Sequence, residues 1–175
     1  MFDLLPGEKV IVGIRKHWLV FFLETIGLFI AAAVPVILLP FYSDFFSETV
    51  TSLGVDRFQN LAVFLVAGWF LLMLVTFFVM LTGYYLDILI VTNERLIDVD
   101  QLMLFSRDIT TAPLEKIEDV KVQTLGILAT IFKFGNINIQ TAAEEREMLI
   151  KGLRYPEYAR DVIMKAYEEN KARKL

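Results

Sequence analysis

The stretch LAVFLVAGWFLLMLVTFFVML, from Leu61 to Leu81, contains 21 residues and no charged side chain. A second stretch of equal length, from Leu19 to Leu39, carries one charged residue, Glu24. A helix rises about 1.5 Å per residue, so about 20 apolar residues are enough to cross a bilayer core about 30 Å thick. Inside lipid the backbone must satisfy its own hydrogen bonds, as a helix does. The two stretches therefore predict a hairpin of two transmembrane helices.

The overall composition agrees with this interpretation. Hydrophobic residues make up 56% of the chain, above the about 45–50% of a soluble domain. The chain has no cysteine, which excludes disulfides, zinc–thiolate sites and thiol chemistry. The net charge of −4 gives no reason to expect nucleic acid as a partner. The first apolar run is too long for a signal-peptide core of about 7–15 residues.

The charges that flank the two stretches predict their orientation. Three cations lie within residues 9–16, ahead of the first stretch, whereas the connector from Pro40 to Asn60 has three acids and one cation. Lys and Arg collect on the cytoplasmic side of a membrane. Both termini are therefore expected in the cytoplasm, in a two-pass arrangement that a reporter fused at Ser52 would test.

Four residues ahead of the first stretch are predicted to lie at the membrane interface. Trp favours the headgroup level, and Lys and Arg extend toward it. The single histidine cannot form a metal-binding pair, and both an interfacial polar role and a pH-sensing role are open to it. The four residues are Arg15, Lys16, His17 and Trp18.

From Gly83 onward the hydrophobic pattern changes from helical to alternating. In the run FGNINIQ, Ile137 and Ile139 are expected inside and the polar residues between them outside. Seven strands are predicted, one ahead of the apolar hairpin and six after it. They are 9–15, 85–91, 95–99, 107–111, 117–122, 134–140 and 147–150.

A final helix is predicted to begin near Pro156, because apolar residues then recur at helical spacing up to Tyr167. Short strands close into a barrel when closure avoids open edges. The predicted fold is therefore a small all-β barrel with a C-terminal α-helix, and the membrane α hairpin is inserted between strands one and two. The predicted divisions are 1–18 for the first strand, 19–82 for the hairpin, and 83–175 for the barrel and helix.

Several segments are similar to motifs of one protein family. TNERLI at 92–97 is similar to the signature T-D-E-R-L-I, and PLEKIEDV at 113–120 matches P-L-x-R/K-I-x-D-V. LLPGE at 4–8 matches the usual opening, and Gly126 with FGNI at 134–137 matches an L-G … G-x-V/I pattern. Together these segments resemble the membrane-flanked domain of the bacterial pleckstrin-homology (PH) family. The resemblance implies a PH-like barrel on a two-helix anchor in the bacterial inner membrane, and it brings no catalytic residues.

The residue types that carry out catalysis in enzymes do not form a recognisable catalytic site in this sequence. Glu118 and Asp119 are neighbours on a predicted strand and point to opposite faces. No glycine-rich phosphate loop is found, and no serine–histidine–acid set can be assembled around a histidine at the membrane edge. We therefore expect no enzymatic activity, and no cofactor or metal ion.

Glu24 is a candidate for a contact inside the membrane, because an ionisable residue in a membrane helix is costly. Gly27 and Ala31 share its helix face, and small residues let a second helix approach closely. Thr76 lies at a similar depth on the returning helix. Glu24 is expected to face that helix, with Thr76 as its partner, or the same residue of another copy. The alternative is a carboxylate that reaches back to the cations and water at the membrane edge.

The stretch from Leu125 to Phe132 is too short to span a bilayer and too apolar for a plain loop. One expectation is a short helix that lies on the bilayer or on another subunit. The other is a connector that covers the barrel core. The candidate interaction surface consists of Leu125, Ile127, Leu128, Ile131 and Phe132.

These features favour a non-enzymatic, membrane-anchored PH-like scaffold or interaction module at the inner leaflet, which binds a protein partner or itself as a homo-oligomer. The alternatives are a module that binds lipid headgroups and an accessory subunit of a membrane transport or export system. Residues 83–175 contain 13 Lys and Arg against 15 Asp and Glu, so this part is not a polybasic surface. The expected partners are membrane lipids and either a second copy or a membrane protein.

Overall fold

The computed structural model describes residues 4–50, 55–103, 106–142 and 147–173. Seven strands and four α-helices are found in this part of the chain. In chain order they are β1 Val10–Arg15, α1 Trp18–Val50, α2 Val55–Leu86, β2 Ile88–Thr92, β3 Arg95–Met103, β4 Ser106–Pro113, β5 Ile117–Gln123, α3 Ile127–Phe132, β6 Phe134–Thr141, β7 Met148–Arg154 and α4 Pro156–Arg173.

The chain folds as two compact units, one made of residues 1–20 and 82–175 and the other of residues 21–81. The second unit consists of the two long helices, which extend beyond the apolar stretches at their connected ends. Within them, Trp18–Leu38 and Asn60–Leu86 are long and apolar enough to cross a membrane, and only 6% and 0% of their most apolar parts are buried. Insertion into a membrane stays a prediction, and Ser52 lies outside the described residues.

The seven predicted strands are confirmed, but several boundaries differ, since β3 and β7 each extend four residues beyond the predicted end and β2 begins later than predicted. Tyr85 and Leu86, which were expected in the second strand, instead form the end of α2, and β2 begins at Ile88. The N–H of Asp87 still donates to the carbonyl of Gly83 at 3.0 Å. The helical ladder therefore continues up to the residue that precedes the sheet.

The strands form two antiparallel sheets, so the prediction of a closed barrel is wrong. β1 to β4 form one sheet in that order, and β5 to β7 form the other. In the described part of the chain, an isolated bridge from Lys16 to Leu153 links strand regions of the two sheets. β4 ends at Pro113, which has no N–H to donate to a neighbouring strand. The chain then turns through the 3₁₀ helix Leu114–Lys116 before β5 begins.

Helix α4 packs against elements of both sheets and completes the core. Its buried face includes Ala159, Ile163 and Ala166, and these residues join a cluster that contains Ile137 and Ile139, as expected from the alternation in β6. Ile163 is fully buried, and burial of such a side chain contributes about 1.5–3 kcal/mol. The two sheets are thus joined by apolar contact with α4 rather than by the ladder of hydrogen bonds between strands that would have closed a barrel.

Candidate interaction site

His17 is buried and does not lie at the surface as an interfacial residue would. Its backbone N–H donates to the carbonyl of Gly152 at 2.8 Å, and its imidazole ring stacks on the ring of Phe134 with 5.5 Å between centroids. Nδ1 accepts the N–H of Leu19 at 3.1 Å, so His17 satisfies an otherwise free donor in the first turn of α1. Burial and the nearby charge of Arg154 lower the pKa of His17, because the protonated ring is poorly solvated there.

Lys16 is held by acidic residues, whereas Arg15 is exposed. The ammonium of Lys16 lies 2.5 Å from a carboxylate oxygen of Asp87 and 3.9 Å from one of Asp100. The other oxygen of Asp87 accepts the N–H of Gln101 at 2.6 Å. Lys16 lies just before α1 and Asp87 directly follows α2, so this ion pair joins the two ends of the helical hairpin.

Asp98 and Asp100 belong to the same group of charges, and the sequence analysis missed them. Both share one face of β3 with the core residue Leu96. Asp98 is only 6% exposed, and burial together with the charge of Asp100 raises its pKa to about 7, against the opposing charge of Lys16. Burial also raises the pKa of Asp100. In the described residues, no group of three or more acidic or histidine side chains has an arrangement that could hold a metal ion.

The family motifs LLPGE and TNERLI meet in a second polar cluster. The carboxylate of Glu8 accepts hydrogen bonds from the N–H of Leu5 at 2.7 Å, from the hydroxyl of Thr92 at 2.8 Å and from the guanidinium of Arg95 at 3.0 and 3.2 Å. The side chain of Glu8 is fully buried. Burial raises the pKa of Glu8, but these hydrogen bonds outweigh it and the pKa is lowered.

The same cluster extends to the C-terminal helix. The amide of the buried Asn170 donates to the carbonyl of Asn93 at 2.7 Å, and Arg173 pairs with Glu94 at 3.2 Å. Asn93 in turn accepts the N–H of Lys9 at 2.7 Å. These motif residues hold the N-terminal segment, the β2–β3 turn and α4 together, which is a structural role.

Glu24 does not pair with Thr76 as expected. Glu24 is exposed, and the hydroxyl of Thr76 donates to the carbonyl of Leu72 in its own helix at 2.8 Å. The residue next to Glu24, Thr25, is the buried one, with 2% exposure. The side of α1 that carries Glu24 is therefore rotated away from the position expected within the hairpin.

The other residues of that predicted face lie in different surroundings. A Cβ atom built on Gly27 would meet nothing within 4 Å. Ala31 does face the second helix, because its carbonyl accepts the indole N–H of Trp69 at 3.1 Å. The exposed side of α1 around Glu24 and Gly27 is thus open to another molecule, which leaves the predicted contact with a second copy untested.

The stretch from 125 to 132 forms the short helix α3, and most of its apolar side chains are exposed. Gly126 precedes the helix with φ 94°, and Lys133 ends it in the left-handed region with φ 54°. Only Ala129 is buried within α3, so the helix does not cover the core as the second expectation required. We name the exposed set the α3 face: Leu125 (75% exposed), Ile127 (80%), Leu128 (48%), Ile131 (64%) and Phe132 (40%).

Trp18 connects the α3 face to the start of α1. Its indole, 54% exposed, meets the ring of Phe132 edge-on with 6.5 Å between centroids. Beside α3 lies a groove of about 740 Å³ whose lining includes Thr124, Thr130, Lys133, Tyr155, Glu157 and Tyr158. The α3 face therefore adjoins the first residue of a candidate membrane helix.

Comparison with known families finds a match over part of the chain. Residues 71–151 match the family model described as Bacterial PH domain. This part of the chain is therefore similar to bacterial PH domains, which confirms the resemblance at that level. The finer resemblance to the membrane-flanked domain stays a prediction.

One solved structure has a limited likeness to part of this chain. It is the crystal structure of a DUF1696 family protein with a pleckstrin-homology domain from Shewanella loihica PV-4. The sequence identity is 20%, the TM-score is 0.33, and the match covers 47% of this chain and 68% of that chain. No curated protein matches the sequence.

Proposed function

We propose that this protein is a non-enzymatic interaction module, anchored in the bacterial inner membrane by α1 and α2, with both termini in the cytoplasm. The observation that best supports it is the shortness of the two junctions. Two residues separate β1 from α1, and one residue separates α2 from β2. Because β1 and β2 are neighbours in one sheet, an inserted hairpin would hold that sheet at the inner leaflet.

The surface of the two helices supports the anchoring role. Phe29, Ile30 and Phe64 are 61%, 65% and 73% exposed, and similar apolar residues follow along both helices. A continuous apolar surface of this kind is unfavourable in water and marks a region that lipid or protein covers. A bilayer would cover it along the whole length of both candidate spans.

The partner that we propose binds the exposed side of α1 around Glu24 and Gly27. A carboxylate within a membrane span faces protein or water rather than lipid, and an adjacent glycine lets a second helix come close. A second copy of the chain fits this face, as does a helix of another membrane protein, including a component of a transport or export system.

The test of self-association uses single cysteines, because the chain has none of its own. In native membranes, Gly27→Cys is expected to give a disulfide-linked dimer on mild oxidation. Ile26→Cys is the control, because Ile26 is exposed but lies on another side of α1. Equal yields of dimer from both variants would contradict self-association through this face.

The test of a different partner uses the protein extracted in a mild detergent. A membrane protein that co-purifies with the unaltered chain is expected to be lost from Glu24→Leu and retained by Phe29→Leu. A monomer without any co-purifying membrane protein, together with no dimer from Gly27→Cys, rules the proposal out. A reporter fused at Ser52 that is active in the cytoplasm would contradict the proposed topology separately.

A further inference from the structure

The α3 face is an exposed apolar surface with no charged residue. The nine residues from Thr124 to Phe132 read TLGILATIF, and Ile127 and Ile131 are among the most exposed large apolar residues of their unit. Exposed patches of this kind mark contact surfaces for protein, ligand or membrane. The question is which of these covers it.

The contact between Trp18 and Phe132 favours lipid. Trp18 is the first residue of a candidate membrane span, and tryptophan at such a position lies at the headgroup level. Phe132 touches that indole at 6.5 Å between centroids. The end of α3 is therefore at the same depth as the start of the span.

The residues around the α3 face have the composition of a membrane-surface contact. Lys133 directly follows it, and Arg154, Tyr155 and Tyr158 lie nearby on the β7–α4 junction, all of them exposed. The guanidinium of Arg154 lies 5.1 Å from the ring centroid of Tyr155. Tyrosines favour the interface, and cations extend toward lipid phosphates.

We propose that the α3 face enters the headgroup region of the bilayer as a second point of membrane attachment, and that Lys133 contacts the phosphates of anionic lipids. This proposal rests on the proposed anchoring by α1 and α2, since that anchoring sets the depth of Trp18. The groove of about 740 Å³ beside α3 is within the size range of small-molecule sites and leaves room for a lipid headgroup. Its acidic residue, Glu157, limits the attraction to phosphate, so the apolar insertion is the main contribution.

The experiment uses the full chain in lipid nanodiscs with one engineered cysteine, labelled with an environment-sensitive fluorophore. Ile127→Cys and Ile131→Cys report on the α3 face, Leu71→Cys reports on the α2 span, and the exposed Glu118→Cys on β5 is the control in water. Lipids brominated near the headgroup are expected to quench Ile127→Cys and Ile131→Cys. Lipids brominated deep in the acyl chains are expected to quench the label at Leu71→Cys. Neither kind of brominated lipid is expected to quench the label at Glu118→Cys.

The outcomes separate this inference from the proposed function. Quenching at Leu71→Cys without quenching at Ile127→Cys or Ile131→Cys overturns the α3 proposal and leaves the anchoring intact. A blue-shifted but unquenched label on α3 also overturns it, because protein then covers the face. Absence of quenching at Leu71→Cys refutes the anchoring itself.

A second measurement tests the part assigned to Lys133. Quenching at Ile127→Cys is expected to be stronger in discs that contain phosphatidylglycerol than in phosphatidylcholine alone, and to weaken with salt. Lys133→Gln is expected to shift the equilibrium away from contact by about fivefold in the anionic discs. Lys151→Gln, an exposed control on β7, is expected to have no effect. Equal effects of the two substitutions would refute a specific role for Lys133.

Discussion

The carboxylate of Glu8 and the guanidinium of Arg95 form a two-point ion pair, with Nε–Oε1 at 3.0 Å and Nη2–Oε2 at 3.2 Å. The two residues are 87 positions apart, and both long helices lie between them. The pair therefore fastens the segment ahead of the hairpin to the sheet that follows it.

Glu8→Gln is expected to lower the free energy of unfolding by about 2–4 kcal/mol, because it removes the charge of the buried carboxylate and so breaks a hydrogen-bonded ion pair at a partly buried position. The measurement is chemical denaturation of the full chain in detergent, followed by tryptophan fluorescence. The control is Asp119→Asn, which breaks an exposed pair with Lys121 at 3.5 Å and should change stability by less than about 0.5 kcal/mol. Equal losses for the two variants would contradict the assigned role of Glu8.

A fragment that begins at Gly83 is expected to be less stable than one that also carries β1. β1 pairs with β2 through five positions, and Arg15 lies opposite Ile88, so residues 4–15 can be fused ahead of Ile88 through a tight turn. The fusion restores both the hydrogen bonds between β1 and β2 and the contacts of Glu8 with Thr92 and Arg95. Thermal unfolding of the two soluble fragments is the measurement, and equal midpoints would exclude the contribution assigned to β1.

Acidification is expected to weaken the junction at His17. A lowered pKa in the folded state means that the unfolded chain binds the proton more tightly, so stability falls as the pH drops below the ordinary value of about 6.5. His17→Asn can still accept the N–H of Leu19 but does not titrate in this range. The slope of stability against pH between about 5 and 7 should therefore be smaller in the variant, and identical slopes would show that His17 does not contribute.

Asp98 is expected to have the opposite dependence on pH. Its pKa is raised to about 7, so the folded state favours the protonated form, and stability from this group falls as the pH rises from about 4 through 7. Asp98→Asn has nearly the shape of the protonated carboxyl and no charge. The variant should have a higher free energy of unfolding than the unaltered chain at pH 8, and the difference between the two should be smaller at pH 5. Denaturation at the two pH values is the measurement. A variant that is equally destabilised at both would contradict this assignment.

The strands could be predicted because each one carries a local pattern. The alternation in β6 predicted that Ile137 and Ile139 are buried without any knowledge of their partners. The two apolar stretches were likewise recognised from their length. The open sheets could not be predicted, because closure depends on whether β4 reaches β5, and that depends on the turn at Pro113 and on the contacts of α4.

The positions of the charged residues could not be predicted for a related reason. The alternation that placed the isoleucines of β6 inside gives no indication that Asp98 faces the core, since a polar residue in an alternating strand normally faces water. Glu24 was assigned a partner by depth along the helix, whereas rotation about the helix axis decides the contact, and Thr25 takes the buried position. The exposed character of α3 was one of two expectations, and the sequence alone did not distinguish them.

The pairing of β1 with β2 also has a consequence for biosynthesis. Val12 lies opposite Val91, so β1 leaves the ribosome long before its partner is made. At about 5–20 residues per second, the delay is roughly 4–16 s. During that time β1 has two unpaired edges, and under the proposed anchoring the hairpin is delivered to the bilayer in the same interval. Lys9 and Arg15 are exposed at its two ends, and charges on an edge strand disfavour pairing with other chains, so we expect them to lower the risk of aggregation during this interval.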